Sequence, residues 1–188
     1  MPKLMKLVIA MVTLLSSTPV FAKSLENPYA TPIALSLFSP VQFPSSNFSV
    51  TGLRLSALMG DHREVHGIDL GIIGNRTRQK FTTLAVSGVF NYNDGDGSII
   101  GAQLAGVTNI NKGNTSVYGL QAALVANLGK FTDIYGVQIG LYNRARDVYG
   151  IQFGLVNVCS NLHGLQIGLA NFNAEGRFRV TPLINFGF

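Results

Sequence analysis

Tryptophan is absent from this chain of 188 residues, and cysteine occurs once. One thiol forms no internal disulfide, so Cys159 is not a staple, and it lies too far from the N-terminus to carry a lipid anchor. Charge is scarce as well: 12% of residues are Asp, Glu, Lys or Arg, against a usual share of about 25%. Together with a hydrophobic content of 47%, this excludes an intrinsically disordered chain. After Ala22 no apolar run approaches the ~20 residues of a spanning helix. Motifs that carry chemistry are missing too. There is no G-x-S-x-G elbow, phosphate loop or C-x-x-C pair, and Gly95-Asp96-Gly97 precedes a strand pattern, so it is not a dinucleotide site.

The three histidines are His62, His66 and His163. In the run HREVH a helix would place His62 and His66 on one face, but a strand pattern makes the run a turn. Asp61, His62, Glu64 and His66 lack the serine of a Ser/His/acid set. The sequence therefore supplies no catalytic residue, no cofactor-binding residue and no metal ligand set, and an enzyme is not expected.

What is present begins with an export signal. Lys3 and Lys6 precede an apolar run from Leu7 to Leu15, and Val20-Phe21-Ala22 fits a cleavage site. Residues 1–22 are then signal and 23–188 a single domain. Without the two signal lysines the net charge falls from +5 to +3, so the basic pI of 9.6 does not point to a nucleic-acid partner.

The second half carries four copies of one unit: VYGLQAALVAN from Val117, IYGVQIGLYN from Ile134, VYGIQFGLVN from Val148 and LHGLQIGLAN from Leu162. Weaker copies start at Val65 and Ile99, and a repeat this regular precedes any local reading. Each unit alternates with period two. Tyr149, Ile151, Phe153, Leu155 and Asn157 fall on one face, and Gly150, Gln152, Gly154 and Val156 on the other. That is a strand pattern, and linkers such as NDGDG and NKGN suit hairpin connections. With strands near 33–38, 50–59, 81–92 and from Arg177, the pattern predicts ten strands.

A soluble sheet would carry charge on its outer face. Here the face opposite Leu, Ile and Phe holds Gly, Gln, Ala and Val, which suits a narrow interior where Gln103, Gln121, Gln138, Gln152 and Gln166 bond to one another as a ladder. The apolar face would meet lipid, with Tyr118, Tyr135 and Tyr149 as an aromatic girdle, and a bilayer tolerates only a closed sheet. Arg54 and Asp69 fall on the inner face, and an antiparallel hairpin turning at Asp61-His62 would set them opposite each other. It would also match Leu53 with Leu70 and Leu55 with Ile68. In this topology Arg76, Arg78, Lys80, Lys112, Arg144, Arg146 and Arg177 gather on the outer rim, against Asp147 and Glu175, and lipopolysaccharide phosphates would meet them there. Asp61, Glu64, Asp94, Asp96 and Asp133 gather on the opposite one, against Arg63 and Lys130.

The chain ends RFRVTPLINFGF, with Phe178, Val180, Ile184, Phe186 and Phe188 on one face and Pro182 as a departure. This resembles the terminal strand of bacterial outer-membrane β-barrels, and the resemblance implies recognition of Phe178, Phe186 and Phe188 by the barrel-assembly machinery. Separately, the G-h-Q-h-G-L-x-N units resemble uncharacterised bacterial "surface repeat" proteins over about two-thirds of the mature chain, which implies no activity. The expected fold is all-β, an antiparallel up-and-down transmembrane barrel of about ten short strands in the outer membrane, structural or passing a small solute. The alternatives are a secreted or surface β-solenoid of ~14-residue coils with a binding or adhesive role, and a small lipid-acyl-modifying outer-membrane enzyme. The 17-residue spacing between the units at Val117 and Ile134 counts against the solenoid.

Overall fold

The computed structural model describes residues 29–188; the segment 1–22 expected to be an export signal lies outside them. Sixteen strands follow one another among the described residues. They are β1 (Ala30–Phe38), β2 (Val41–Phe43), β3 (Ser49–Ser56), β4 (Met59–Gly71), β5 (Gly74–Ser87), β6 (Phe90–Asn93), β7 (Gly97–Ala105) and β8 (Thr108–Asn111). Then come β9 (Thr115–Ala123), β10 (Ala126–Leu128), β11 (Thr132–Ile139), β12 (Tyr142–Arg144), β13 (Asp147–Phe153), β14 (Val156–Cys159), β15 (Asn161–Asn173) and β16 (Val180–Gly187).

The chain winds as a parallel β-solenoid of about nine turns. One sheet stacks β1, β3, the second halves of β4 and β5, then β7, β9, β11, β13 and the start of β15, all in parallel. The other stacks the first halves of β4 and β5, then β6, β8, β10, β12, β14 and the end of β15. The antiparallel pairs lie at the two ends, where β2 folds back on β1 and β16 on β15. These hairpins cap the stack and cover its open edges.

The expected antiparallel barrel of ten strands is thus overturned, and the reason lies in the repeat. Parallel pairing sets every residue of one unit beside its counterpart: Tyr135 by Tyr149, Gly136 by Gly150, Gln138 by Gln152. An antiparallel pairing reverses one copy against the next. Centred on Gln138 and Gln152 it would still match the glutamines and glycines, but it would set Tyr135 against Leu155 and Asn143 against Asp147. The stacked rings and the asparagine ladder form, together with the glutamine ladder, only in the parallel arrangement.

Each coil has two corners of different character. A short corner follows each first-sheet strand, at Gly140-Leu141, Gly154-Leu155 and Gly168-Leu169. A polar turn joins the second sheet back to the first and absorbs most of the length differences. From Gln121 to Gln138 the step is 17 residues, and from Gln138 to Gln152 and on to Gln166 it is 14. One extra residue sits at the short corner, where Gln121 to Asn127 is six residues and Gln138 to Asn143 five. The others sit at Gly129-Lys130-Phe131, so uneven spacing is no obstacle to coiling.

The corners also reverse the face. Gln152 and Asn157 both point inward and are buried, whereas Tyr149, Ile151, Phe153 and Leu155 point outward. The expectation that Asn157 shares a face with Phe153 fails because the strand breaks at Gly154. An apolar column runs up the interior through Val50, Val65, Ile99, Val117, Ile134, Val148 and Leu162. The rest of the interior is largely polar.

Candidate binding surface

The predicted glutamine ladder is present. Gln121, Gln138, Gln152 and Gln166 each donate an Nε2 hydrogen bond to the Oε1 of the preceding one, from Gln103 onward, at 2.7–2.8 Å. All five are buried, and Asn185 of the cap donates to Gln166 Oε1 at 3.1 Å to end the series.

A second ladder, of asparagines, runs beside it. Asn75, Asn91, Asn109, Asn127, Asn143 and Asn157 each donate to the Oδ1 of the next, ending at Asn171, at 2.8–3.2 Å. The same Nδ2 groups donate to first-sheet carbonyls at the short corner, such as Asn127 to Ile139 O at 2.7 Å and Asn143 to Phe153 O at 2.9 Å. The asparagine that closes each unit is therefore what closes each corner. Its signal is the odd five-residue spacing from Gln138 to Asn143, Gln152 to Asn157 and Gln166 to Asn171, which a straight strand would place on opposite faces.

Arg54 and Asp69 lie opposite each other in the same interior column as the glutamines. The guanidinium is bidentate on the carboxylate, with Nε to Oδ1 at 2.7 Å, and both groups are buried. The predicted pairing holds but its direction does not. The strands run parallel, Leu53 sits by Ile68 and Leu55 by Leu70, and Asp61-His62 lies inside β4. Arg54 also donates to Arg76 O and faces His62 Nδ1 at 3.4 Å, while His62 Nε2 lies 3.3 Å from Pro44 O. Burial, with the Arg54 cation adding to it, holds His62 down to about 4. Burial pushes the Asp69 carboxyl up, and Arg54 opposes that shift.

Outside, apolar residues dominate. On the first sheet one outward row runs Ile68, Leu84, Ala102, Leu120, Val137, Ile151 and Leu165. The row beside the short corner includes Leu70, Ile139 and Phe153, all exposed. The corner itself is the most apolar part of the surface. Ile72 and Leu124 are each 74% exposed, with Leu141, Leu155 and Leu169 in line. Near the N-terminal cap the stripe deepens into an apolar groove of about 830 Å³ between Leu35, Leu37, Phe43, Leu55, Leu70 and Ile72.

On the far side of the sheet, next to the polar turns, Tyr118, Tyr135, Tyr149 and His163 form a stacked outer ladder with ring centroids 4.6–4.9 Å apart. The three tyrosines expected in a girdle thus line up along the solenoid.

The expected division of charge between two rims is not found. Among the described residues, charged positions other than Arg54 and Asp69 fall at 61–64, 76–80, 94–96, 112, 130–133 and 144–147, and at 175–179 in the C-terminal hairpin. All but the last group belong to the polar-turn edge. There Arg76 pairs with Asp94, Arg78 with Asp61 and Arg146 with Asp133, at 2.5–2.7 Å. Residues assigned to opposite sides of a membrane are ion-pair partners on one side.

The histidine run forms no ligand set: no group of three His, Cys, Asp or Glu suited to a metal ion occurs among the described residues. Burial pushes the Cys159 thiol up to about 12. At the C-terminus Asn185 points inward, and Phe178, Phe186 and Phe188 are exposed. That strand pairs antiparallel with β15 as a cap, not as the closing seam of a barrel.

The class these features define is a two-sheeted parallel β-solenoid with an amide-laddered interior, an apolar exterior and one charged edge. Comparison with protein-family models, curated proteins and solved structures found no match.

Proposed function

We propose that the chain is an exported β-solenoid of the cell envelope that binds through its outer faces and performs no chemistry. The supporting observation is the outward presentation of Leu, Ile, Val, Phe and Tyr in rows along the stack, interrupted by small residues such as Ala102. Contiguous apolar surface of this extent marks an interaction site. The titratable groups near the interior support the same reading, because they are engaged with one another: Arg54 with Asp69, Asp61 with Arg78.

Export would follow from the segment Met1–Ala22, and mass spectrometry of the secreted chain would then give an N-terminus at Lys23. Binding is tested by co-sedimentation of the purified mature chain with washed envelope fragments. The parent should pellet with them, and a Tyr135→Ser, Tyr149→Ser variant with an unchanged circular dichroism spectrum should bind about tenfold less. A parent that stays in the supernatant with every envelope fraction overturns the binding reading.

A further inference from the structure

Resting on that reading, we infer that the partner is a lipid monolayer face: the solenoid lies along one leaflet with its short corners in the acyl chains and its charged edge at the phosphates. Three observations converge.

The first is the segregation of charge. The described corner positions 57–58, 72–73, 88–89, 106–107, 124–125, 140–141, 154–155 and 168–169 hold only Ala, Leu, Ile, Val and Gly. Corners are the parts of a solenoid most open to the surroundings, so in water they would be the natural place for charge. The opposite edge carries more cations than anions, with Lys112, Lys130 and Arg144 exposed. This complements anionic headgroups.

The second is depth. From Tyr149 to Phe153 the strand advances four residues, about 13 Å, with Leu155 just beyond. Half of a ~30 Å hydrocarbon core is about 15 Å. The order from corner to edge is therefore aliphatic, then tyrosine, then charge, and tyrosine favours the headgroup level.

The third is the state of the corner backbone. Groups placed in hydrocarbon need internal partners because no water reaches them. Here Val107 N donates to Val89 O at 2.8 Å, Val125 N to Val107 O at 3.0 Å and Leu155 N to Leu141 O at 2.9 Å. The asparagine amides take further corner carbonyls from inside, such as Asn157 with Ile167 O at 2.9 Å. The corner backbone therefore brings paired polar groups to the acyl chains.

Because the chain has no Trp, single substitutions give a clean test in mixed phosphatidylcholine and phosphatidylglycerol vesicles. Leu155→Trp should be quenched most by lipids brominated deep in the acyl chain, Tyr149→Trp by lipids brominated near the headgroup, and Ser160→Trp by neither. A Leu141→Arg, Leu155→Arg variant should keep its circular dichroism spectrum and lose at least tenfold in vesicle flotation. Equal quenching at all three sites, or flotation unchanged by the two arginines, overturns the inference. So does a stable dimer in lipid-free solution whose corner tryptophan stays shielded from brominated lipid, which would make a second copy the occupant. Should the chain pellet with envelope fragments but ignore vesicles, the leaflet inference fails and the binding reading stands. Failure in both assays removes both.

Discussion

At the scale of single residues, two kinds of position dominate. Glycines form a column through Gly67, Gly101, Gly119, Gly136, Gly150 and Gly164, with φ between +124° and +145°. A side chain there meets both an unfavourable backbone and the carbonyl of the next coil; a Cβ on Gly150 would run into Gly136 O. Gly150→Ala should cost about 2–3 kcal/mol in urea unfolding. The same column holds Thr83 at φ 116°, so Thr83→Gly should stabilise by about 1 kcal/mol. The other kind is the buried ion pair. Removing Arg54 or Asp69 alone strands a charge and should cost about 3–5 kcal/mol, while replacing both with neutral residues of similar size should recover most of it. Two small additive effects in a double-mutant cycle would contradict the buried pairing. His62 adds a pH dependence. Its folded value of about 4 lies below the unfolded 6.5, so between those values the unfolded state binds the extra proton. Stability is unaffected by this group above pH 6.5 and falls as pH drops from there towards 4, by on the order of 2–3 kcal/mol. Urea midpoints at pH 7 and pH 5 should separate for the parent and nearly coincide for His62→Gln.

At the scale of the element, the unit was legible and the way units join was not. Strands, inward glutamines, outward Leu/Ile/Phe and the Arg54–Asp69 partnership could all be read from period two. The corner could not, because a period-two pattern says nothing about where a strand bends, and Gly154 looks like one more small inward residue. The positive φ at Gly150 is likewise invisible in the letters. What could have revealed the corner is Asn157: an amide whose parity disagrees with Gln152 needs a bend to reach the interior. Arg54 and Asp69 do not give the direction of pairing, since one charge pair fits a parallel and an antiparallel register equally. Only the identity of neighbours across many units separates the two. The asparagine ladder gives the element its own test. Asn143 donates to Phe153 O and Asn157 and accepts from Asn127, so Asn143→Ala leaves buried groups unpaired at about 1–3 kcal/mol each. The loss should exceed 2 kcal/mol in denaturant unfolding. An exposed-row change such as Val137→Ala should cost less.

At the scale of the whole molecule, the solenoid turns the usual distribution inside out. Amides, one ion pair and a single apolar column fill the interior, while the large apolar side chains look outward and charge collects along one edge. The stack supports this because amide ladders and coil-to-coil backbone bonds satisfy most of the interior amides and backbone groups without water. The central claim is the parallel stacking of coils, and distances between spin labels test it most directly. Ile68, Leu120, Ile151 and Leu165 share one outward row, so on a Cys159→Ala background a cysteine at 68 can be labelled together with one at each of the others. With coils about 4.8 Å apart, the label-site separations should rise steadily to about 14, 24 and 29 Å. A separation that rises and then falls, as it would around a closed barrel, contradicts the account.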